Sequence, residues 1–211
     1  MILLVGNLKG GTGKSTIAFN LAVWAVHQQR KVLLVDADPQ GTSSDLLEMR
    51  RENGHQPVVF GLSTDESRLS EDVGRVKDIF EDIIIDIAAG DRVGFKAALT
   101  IADCLLIPLL PGQSDVWAVS NVLDVLEEVG DVNPHLKVMG VINKADTRGG
   151  KETEETAEAM KELGVDLLPV TLGYRVVFRR SLPEGLGVIE WERRSQACQE
   201  IEELAASTLG Q

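Results

Sequence analysis

Cysteine is scarce in this 211-residue sequence, which contains only Cys104 and Cys198. The two residues are far apart and lack C-x-x-C spacing, so no disulfide framework is expected. Cys104 lies within the apolar run ADCLLIPLL (102–110). Both side chains are therefore predicted to be buried thiols of a protein from a reducing compartment.

Long apolar runs and an excess of basic residues are also absent. No run approaches the roughly 18 residues that a membrane span needs, and the start MILLVGN lacks the basic segment of a signal peptide. We therefore predict a cytoplasmic protein. The 33 acidic residues outnumber the 21 basic ones, which gives a net charge of −12. Binding to nucleic acid or anionic lipid thus requires a local basic patch.

Six short aliphatic runs alternate with segments of helical periodicity. They occupy residues 2–5, 31–36, 82–87, 104–109, 136–143 and 166–170. Their hydrophobicity is continuous, which is typical of strands that are buried on both faces. We predict a single domain over residues 1–211 with an α/β fold, in which helices flank a doubly wound, mostly parallel sheet. Since the first strand begins at residue 2, no domain is expected before it.

A glycine-rich segment, GNLKGGTGKST (6–16), follows the first predicted strand and precedes a predicted helix. Strand, loop and helix in this order are the context of a phosphate-binding loop. Its glycines lack the Cβ that would keep backbone N–H groups away from phosphate oxygens, and the helix N-terminus contributes positive potential. Lys14 is predicted to bridge the β- and γ-phosphates of a nucleotide, and the Ser15 hydroxyl to ligate Mg²⁺.

One position departs from the usual pattern G-x-x-x-x-G-K-[ST], because Leu8 stands in place of the first glycine and Lys9 follows it. The segment KGGTGKS (9–15) resembles the deviant Walker A motif of the ParA/MinD family of P-loop ATPases. The resemblance implies that Lys9 crosses a dimer interface to the phosphates of the partner subunit, where a cation stabilises developing negative charge. It also implies nucleotide contacts from Lys9, Gly10, Gly11, Thr12, Gly13, Lys14, Ser15 and Thr16.

Two acidic motifs have the order and spacing of the same family. KVLLVDADPQG (31–41) resembles its second motif, which implies that Asp36 lies near the magnesium ion and that Asp38 orients or activates the attacking water. IIIDIAAG (83–90) resembles its Walker B strand end, which implies a water-mediated contact between Asp86 and Mg²⁺. A lone aspartate at a strand end is usually a cap or turn residue, so either motif alone is unspecific. The resemblance covers nearly the whole chain and implies the P-loop NTPase fold.

The segment VINKAD (141–146) bears on the identity of the base. N-K-x-D after a late strand also recognises guanine in GTPases, where an aspartate such as Asp146 accepts from two N–H groups of the base. The Asn143 amide both donates and accepts, so it suits either adenine or guanine. In the ParA/MinD family an asparagine at this strand end contacts adenine, so we favour ATP over GTP and predict ATP and Mg²⁺ as ligands.

The C-terminal helix distinguishes the membrane-binding branch of that family from the others. Its apolar stripe consists of Ala197, Cys198, Ile201, Leu204 and Ala205. Its polar face carries Glu200, Glu202 and Glu203, whereas a membrane-surface helix needs basic residues there. We predict that this helix packs on the domain's own sheet and that the protein does not bind membranes.

An island of positive charge lies at residues 174–194, where five arginines stand against three glutamates. ParA-type proteins bind DNA without sequence preference through basic residues of this region. The resemblance therefore makes Arg175, Arg179 and Arg180 the candidate DNA ligands. Exposed arginines are more often solvated or ion-paired, so the residues by themselves do not establish DNA binding.

Together these features predict a ParA-type ATPase that forms a homodimer with ATP, binds nonspecific DNA as that dimer and releases it after hydrolysis. A ParB-like or other adaptor protein is expected to stimulate hydrolysis. The expected cargo, positioned over the nucleoid, is a plasmid, a chromosome region or a protein assembly. The alternative is a P-loop synthetase or carrier of the same superfamily that does not bind DNA.

Two further expectations concern residues outside these motifs. Ser114, in PGQSDVWAV (111–119), is predicted to be a helix N-cap, because no G-x-S-x-G elbow surrounds it. Trp24, Trp117 and Trp191 are predicted to lie in the core or between packed helices.

Overall fold

The fold is a parallel sheet with helices on both faces. The computed structural model describes residues 1–147 and 150–210. The strands are β1 (Ile2–Val5), β2 (Val32–Ala37), β3 (Phe60–Ser63), β4 (Asp82–Ile87), β5 (Cys104–Leu109), β6 (Lys137–Ala145) and β7 (Leu167–Gly173). The helices are α1 (Lys14–His27), α2 (Thr42–Glu52), α3 (Leu69–Val76), α4 (Arg92–Ile101), α5 (Gln113–Val129), α6 (Lys151–Glu162), α7 (Val176–Ser181), α8 (Val188–Trp191) and α9 (Gln196–Thr208).

The order of the strands puts β1 in the middle of the sheet. The order is β3-β2-β4-β1-β5-β6-β7, and all the pairs are parallel. From β1 the chain moves outward to β2 and β3, returns to β4, and then continues to β5 on the other side. The loop after β1 therefore opens at the point where the strand order reverses, which is where open α/β sheets bind ligands. The predicted doubly wound α/β fold is confirmed.

Alternate residues of the central strands enter two hydrophobic cores, one on each face of the sheet. Leu3 and Val5 belong to the core that includes α1 and α9. Leu4 belongs to the core that includes α3, α4 and α5. All three side chains are fully buried. Because both faces are covered, apolar residues fill nearly every position of the central strands, which explains the continuous runs in the sequence.

The six predicted strands are present, and a seventh was missed. β1, β4 and β5 have the predicted bounds, whereas β6 and β7 continue further, to Ala145 and Gly173. The missed strand is β3, which pairs only with β2 at the edge of the sheet and is mostly exposed. An edge strand of this kind needs no continuous apolar run, so no such run marks β3 in the sequence.

Helix α9 packs on α1 and β7 through the predicted apolar stripe, whose five residues are buried. The placement of Glu200 on its solvated face was wrong. Glu200 is buried, accepts from the backbone N–H of Gly173 at 3.1 Å and pairs with Arg175. These partners compensate its charge inside the protein. No helix within residues 1–147 and 150–210 is both long and apolar enough to cross a membrane.

Two other expectations also need correction. Ser114 is not an N-cap, because α5 begins one residue earlier, at Gln113, after Gly112. Trp117 and Trp191 are 66% and 41% exposed, since they lie on the solvent-facing sides of their helices. Trp24 packs against the core as expected.

Candidate nucleotide-binding site

The loop between β1 and α1 has the backbone geometry of a phosphate cradle. Gly11 and Gly13 have φ values of 78° and 95°, a region that favours glycine. A Cβ on Gly13 would lie 2.3 Å from the Asn143 Nδ2 atom, so this position also lacks space for a side chain. As at every helix N-terminus, the first backbone N–H groups of α1 have no acceptor within the helix. They are available to anionic oxygens.

Lys14 holds a buried ammonium group at the start of α1. Its side chain donates to the backbone carbonyl of Lys9 at 3.3 Å, and the residue is 7% exposed. Burial lowers the pKa of Lys14, and the negative charges of Asp86 and Asp38 offset only part of this shift. A cation that has lost most of its water in this way is poised to bind phosphate oxygens.

The three predicted aspartates lie together at the carboxyl edge of the sheet. Asp36 and Asp86 are paired in register on the neighbouring strands β2 and β4. Asp36 accepts from the backbone N–H groups of Ser44 at 2.7 Å and of Asp38 at 3.1 Å. Asp38 begins the turn after β2 and lines a cavity of about 300 Å³ together with the glycine-rich loop. The structure thus brings the three acidic residues to one side of the loop.

Asp86 has the properties of a ligand for a divalent cation. Its carboxylate is fully buried, and one oxygen accepts from the Ser43 hydroxyl at 2.7 Å. The other oxygen, Oδ1, has no hydrogen-bond partner among the described residues. Burial raises the pKa of Asp86 to about 6, although the nearby hydroxyls of Ser15 and Ser43 oppose the shift. An orphaned carboxylate oxygen beside a serine hydroxyl fits the oxygen ligands that Mg²⁺ prefers.

Lys9, the second lysine of the loop, makes contacts that the sequence did not predict. Its ammonium lies 2.6 Å from Oδ2 of Asp115 and 2.8 Å from the Ser114 hydroxyl, both in the first turn of α5. Asp115 is buried, and its other oxygen accepts from the backbone N–H of Leu110 at 3.0 Å. Nothing in the local pattern distinguishes Asp115 from an ordinary acidic residue near a helix start, so only the fold identifies it as the partner of Lys9.

A second cavity, of about 210 Å³, lies beside the loop and is a candidate base pocket. Its apolar wall is formed by Ile17, Leu172, Phe178 and Leu182. Asn143 lines it and also donates from Nδ2 to the Thr12 carbonyl at 2.7 Å. An apolar slot with a few polar groups is typical of sites that hold a planar ligand. The contact between Asn143 and the base stays a prediction.

Of the predicted DNA-binding arginines, Arg175 and Arg179 line this cavity and Arg180 follows them in the chain. The three differ in their surroundings. Arg175 pairs with Glu200 at 2.5 Å, so its charge is compensated within the protein. Arg179 is exposed and lies 5.9 Å from the centre of the Tyr174 ring. Arg180 is exposed as well. Of the three, Arg179 and Arg180 offer the more accessible charge.

A loop with free amide groups and a buried ammonium, beside strand-end carboxylates that fit a divalent cation, can hold the phosphates of a nucleotide. These features place the protein in the class of P-loop nucleotide-binding proteins. Comparison with known proteins then identifies the family. The chain belongs to the CobQ/CobB/MinD/ParA nucleotide-binding domain family, whose model matches residues 3–188. The family resemblance seen in the sequence is confirmed.

Individual relatives resemble the chain over most of its length. It is 30% identical to maintenance of carboxysome distribution protein A of Halothiobacillus neapolitanus, over 96% of this chain and 93% of that protein. It is 27% identical to chromosome partitioning protein ParA of Caulobacter vibrioides, over 76% of this chain and 75% of that one. Among solved structures, the cell division ATPase MinD of Pyrococcus furiosus superposes with a TM-score of 0.82 at 24% identity, covering 99% of this chain and 98% of that chain.

Proposed function

We propose that the protein is a ParA-type ATPase that positions or partitions a cargo. In this cycle the chain binds ATP and Mg²⁺, forms a homodimer, binds nonspecific DNA as that dimer, and releases it after an adaptor protein has stimulated hydrolysis. The observation that carries the proposal is Lys9, a second loop lysine whose side chain remains partly exposed. Relatives named for carboxysome distribution and chromosome partitioning support the choice of branch.

The geometry of the loop supports the proposed nucleotide contacts. Free amides at the start of α1 and the Lys14 ammonium bind the β- and γ-phosphates, which replace the water that Lys14 has lost. Ser15, Asp36 and Asp86 would hold Mg²⁺, directly or through water. When bound, the ion neutralises charge on the phosphate oxygens. Asp38 lines the phosphate cavity and accepts from the backbone N–H of Gln40 at 2.9 Å, which fixes the carboxylate to orient the attacking water.

Dimerisation supplies the second cation. In the single chain Lys9 is held by Asp115 and Ser114 of the same chain. In the dimer this ammonium contacts the phosphates bound by the partner subunit, where it stabilises negative charge that develops during transfer. The phosphates that attract Lys9 are present only when the partner subunit has bound ATP. ATP therefore favours the dimer over the monomer.

DNA binding is then linked to the dimer. Two copies of Arg179 and Arg180 double the cationic charge that meets the DNA backbone, so ATP raises DNA affinity by favouring the dimer. Contacts with phosphates release counterions, and this affinity therefore falls steeply with salt. The alternative function, a P-loop synthetase or carrier without DNA binding, predicts no response to DNA with any nucleotide.

The test is fluorescence anisotropy of a labelled nonspecific duplex at low and moderate salt, with no nucleotide, ADP, ATP or GTP. We expect salt-sensitive binding with ATP alone. The double variant Arg179→Glu/Arg180→Glu should lose this binding while it still binds ATP, and ATP binding is checked because Arg179 also lines the candidate base cavity. The matched control, Arg193→Glu/Arg194→Glu, reverses two exposed charges of the same island and should retain most of it. Absence of binding with every nucleotide would contradict the proposal in favour of the synthetase or carrier.

A further inference from the structure

Lys144, near the end of β6, has an unusual backbone conformation. Its φ is 53°, in the left-handed region, and among the described non-glycine residues only Gln29 shares this property. Lysine has no intrinsic preference for that region, where the Cβ crowds the backbone. The pairing of β6 with β7 is irregular between Ile142 and Ala145, so the strand bends at this point. A strained residue of this kind persists only where its surroundings hold it.

The strained backbone directs the Lys144 side chain onto the phosphate loop. Its ammonium donates to the Gly11 carbonyl at 2.7 Å. The preceding residue, Asn143, donates to the Thr12 carbonyl at 2.7 Å, and its Oδ1 accepts from the Lys144 backbone N–H at 2.8 Å. Two adjacent residues of β6 therefore hold two consecutive carbonyls of the loop.

Holding these carbonyls fixes the loop amides. Each peptide unit is planar and trans, so the direction of a C=O group sets the direction of the N–H group in the same unit. The Gly11 carbonyl shares its unit with the Thr12 N–H, and the Thr12 carbonyl shares its unit with the Gly13 N–H. Without a tether, glycines at 11 and 13 would leave both units free to rotate. Lys144 also lines both the phosphate cavity and the base cavity, so it lies where the two meet.

We propose that Lys144 is a positioning residue that orients the amides of the phosphate loop before the nucleotide binds. This role rests on the proposed function, because it concerns the same nucleotide site. The ammonium acts on the loop and not on the base, so the role is the same whichever base is bound. Loss of the tether should weaken phosphate binding, because the nucleotide must then order the loop itself.

The variant Lys144→Gly separates the tether from the backbone strain, since glycine tolerates the left-handed conformation and has no ammonium. Gln29→Gly is the matched control, because it relaxes a positive φ at an exposed position after α1. Lys144→Arg keeps a cationic donor. The measurements are hydrogen exchange of the loop amides without nucleotide, the melting temperature, and the affinity for a fluorescent ATP analogue with Mg²⁺.

For Lys144→Gly we expect exchange of the amides at residues 10–13 to rise severalfold and the ATP dissociation constant to rise about tenfold, the size of a lost hydrogen bond to a charged group. The melting temperature of Lys144→Gly should stay level or rise, as should that of Gln29→Gly. The Gln29→Gly control should leave both the loop exchange and the ATP affinity unchanged. Lys144→Arg should keep most of the protection of the loop amides from exchange and most of the affinity for ATP.

Unchanged loop exchange or unchanged affinity in Lys144→Gly would overturn the proposal. So would a melting temperature that falls well below that of Gln29→Gly, since Lys144 would then stabilise the fold as a whole. If the wild-type protein bound no ATP, the proposed function would fail, whereas the exchange measurement would still decide whether Lys144 holds the loop.

Discussion

Substitution of Glu190 by glutamine should destabilise the protein strongly, because it breaks an ionic cluster between helices. The Glu190 carboxylate accepts two hydrogen bonds from Arg50 of α2, both at 2.8 Å, and lies 2.7 Å from Nε2 of His27 at the end of α1. The Arg50 and Glu190 side chains are only 3% and 9% exposed. Glutamine preserves the shape of the side chain but leaves the Arg50 charge without its counterion.

The magnitude follows from what remains around Arg50. Breaking a buried pair by removing one partner costs about 3–5 kcal/mol. Arg50 keeps hydrogen bonds to the carbonyls of Pro57 and Gly185, which favours the lower end of that range. We therefore expect a loss of about 3 kcal/mol in the free energy of unfolding, which corresponds to a melting temperature about 6–12 °C lower in a protein of this size.

The effect should also depend on pH. Burial opposes ionisation of Glu190, but hydrogen bonds from Arg50 and His27 outweigh it and hold the pKa below its ordinary value. A carboxyl group with a lowered pKa in the folded state stabilises the protein above its unfolded pKa of about 4.3, and this stabilisation is lost as the pH falls through the folded pKa. The difference between wild type and Glu190→Gln should thus be full at neutral pH and shrink below about pH 4.

Urea unfolding followed by circular dichroism, without nucleotide, measures the effect. Glu192→Gln makes the same chemical change two residues away at an exposed position, and it should alter the free energy of unfolding by less than about 0.5 kcal/mol. If Glu190→Gln were as stable as Glu192→Gln at pH 7, the cluster would contribute nothing net and the reasoning would be refuted.

Three further predictions concern the nucleotide site. Lys14→Ala should abolish ATP binding in a calorimetric titration, and unchanged affinity would contradict the phosphate-loop assignment. Gly13→Ala should also prevent ATP binding, and it should lower the free energy of unfolding by about 1–3 kcal/mol in a thermal unfolding experiment. The alanine adds strain at a φ of 95° and a clash with Asn143. Gly54→Ala, at a φ of 69° in open space, is the control for strain alone. The Asp38→Ala variant should bind ATP but no longer hydrolyse it in an assay of released phosphate. Surviving hydrolysis would rule out the proposed role of Asp38 in orienting the attacking water.

Much of the fold was predictable because a parallel sheet covered on both faces demands continuous apolar strands. The runs that became β1, β4 and β5 are almost entirely apolar, whereas β3 lies at an edge of the sheet and has no such run. The loop was predictable for a related reason. Its glycines and Lys14 are required by local geometry, so they are visible as a short contiguous motif.

Contacts between distant segments were not predictable. The pairing of Lys9 with Asp115 and the tether from Lys144 to Gly11 join residues more than a hundred positions apart. Only the packing of strands and helices determines such neighbours. The burial of Glu200 has the same origin, since it depends on Arg175 from another part of the chain.

The trans role of Lys9 is the central claim, and sedimentation velocity tests it most directly. The Asp38→Ala protein with ATP and Mg²⁺ should sediment as a dimer, and with ADP as a monomer. Asp38→Ala/Lys9→Ala should still bind ATP but remain a monomer, because the phosphates of one subunit then lack the cation from the other. A double variant that dimerises with ATP as fully as Asp38→Ala would contradict the claim.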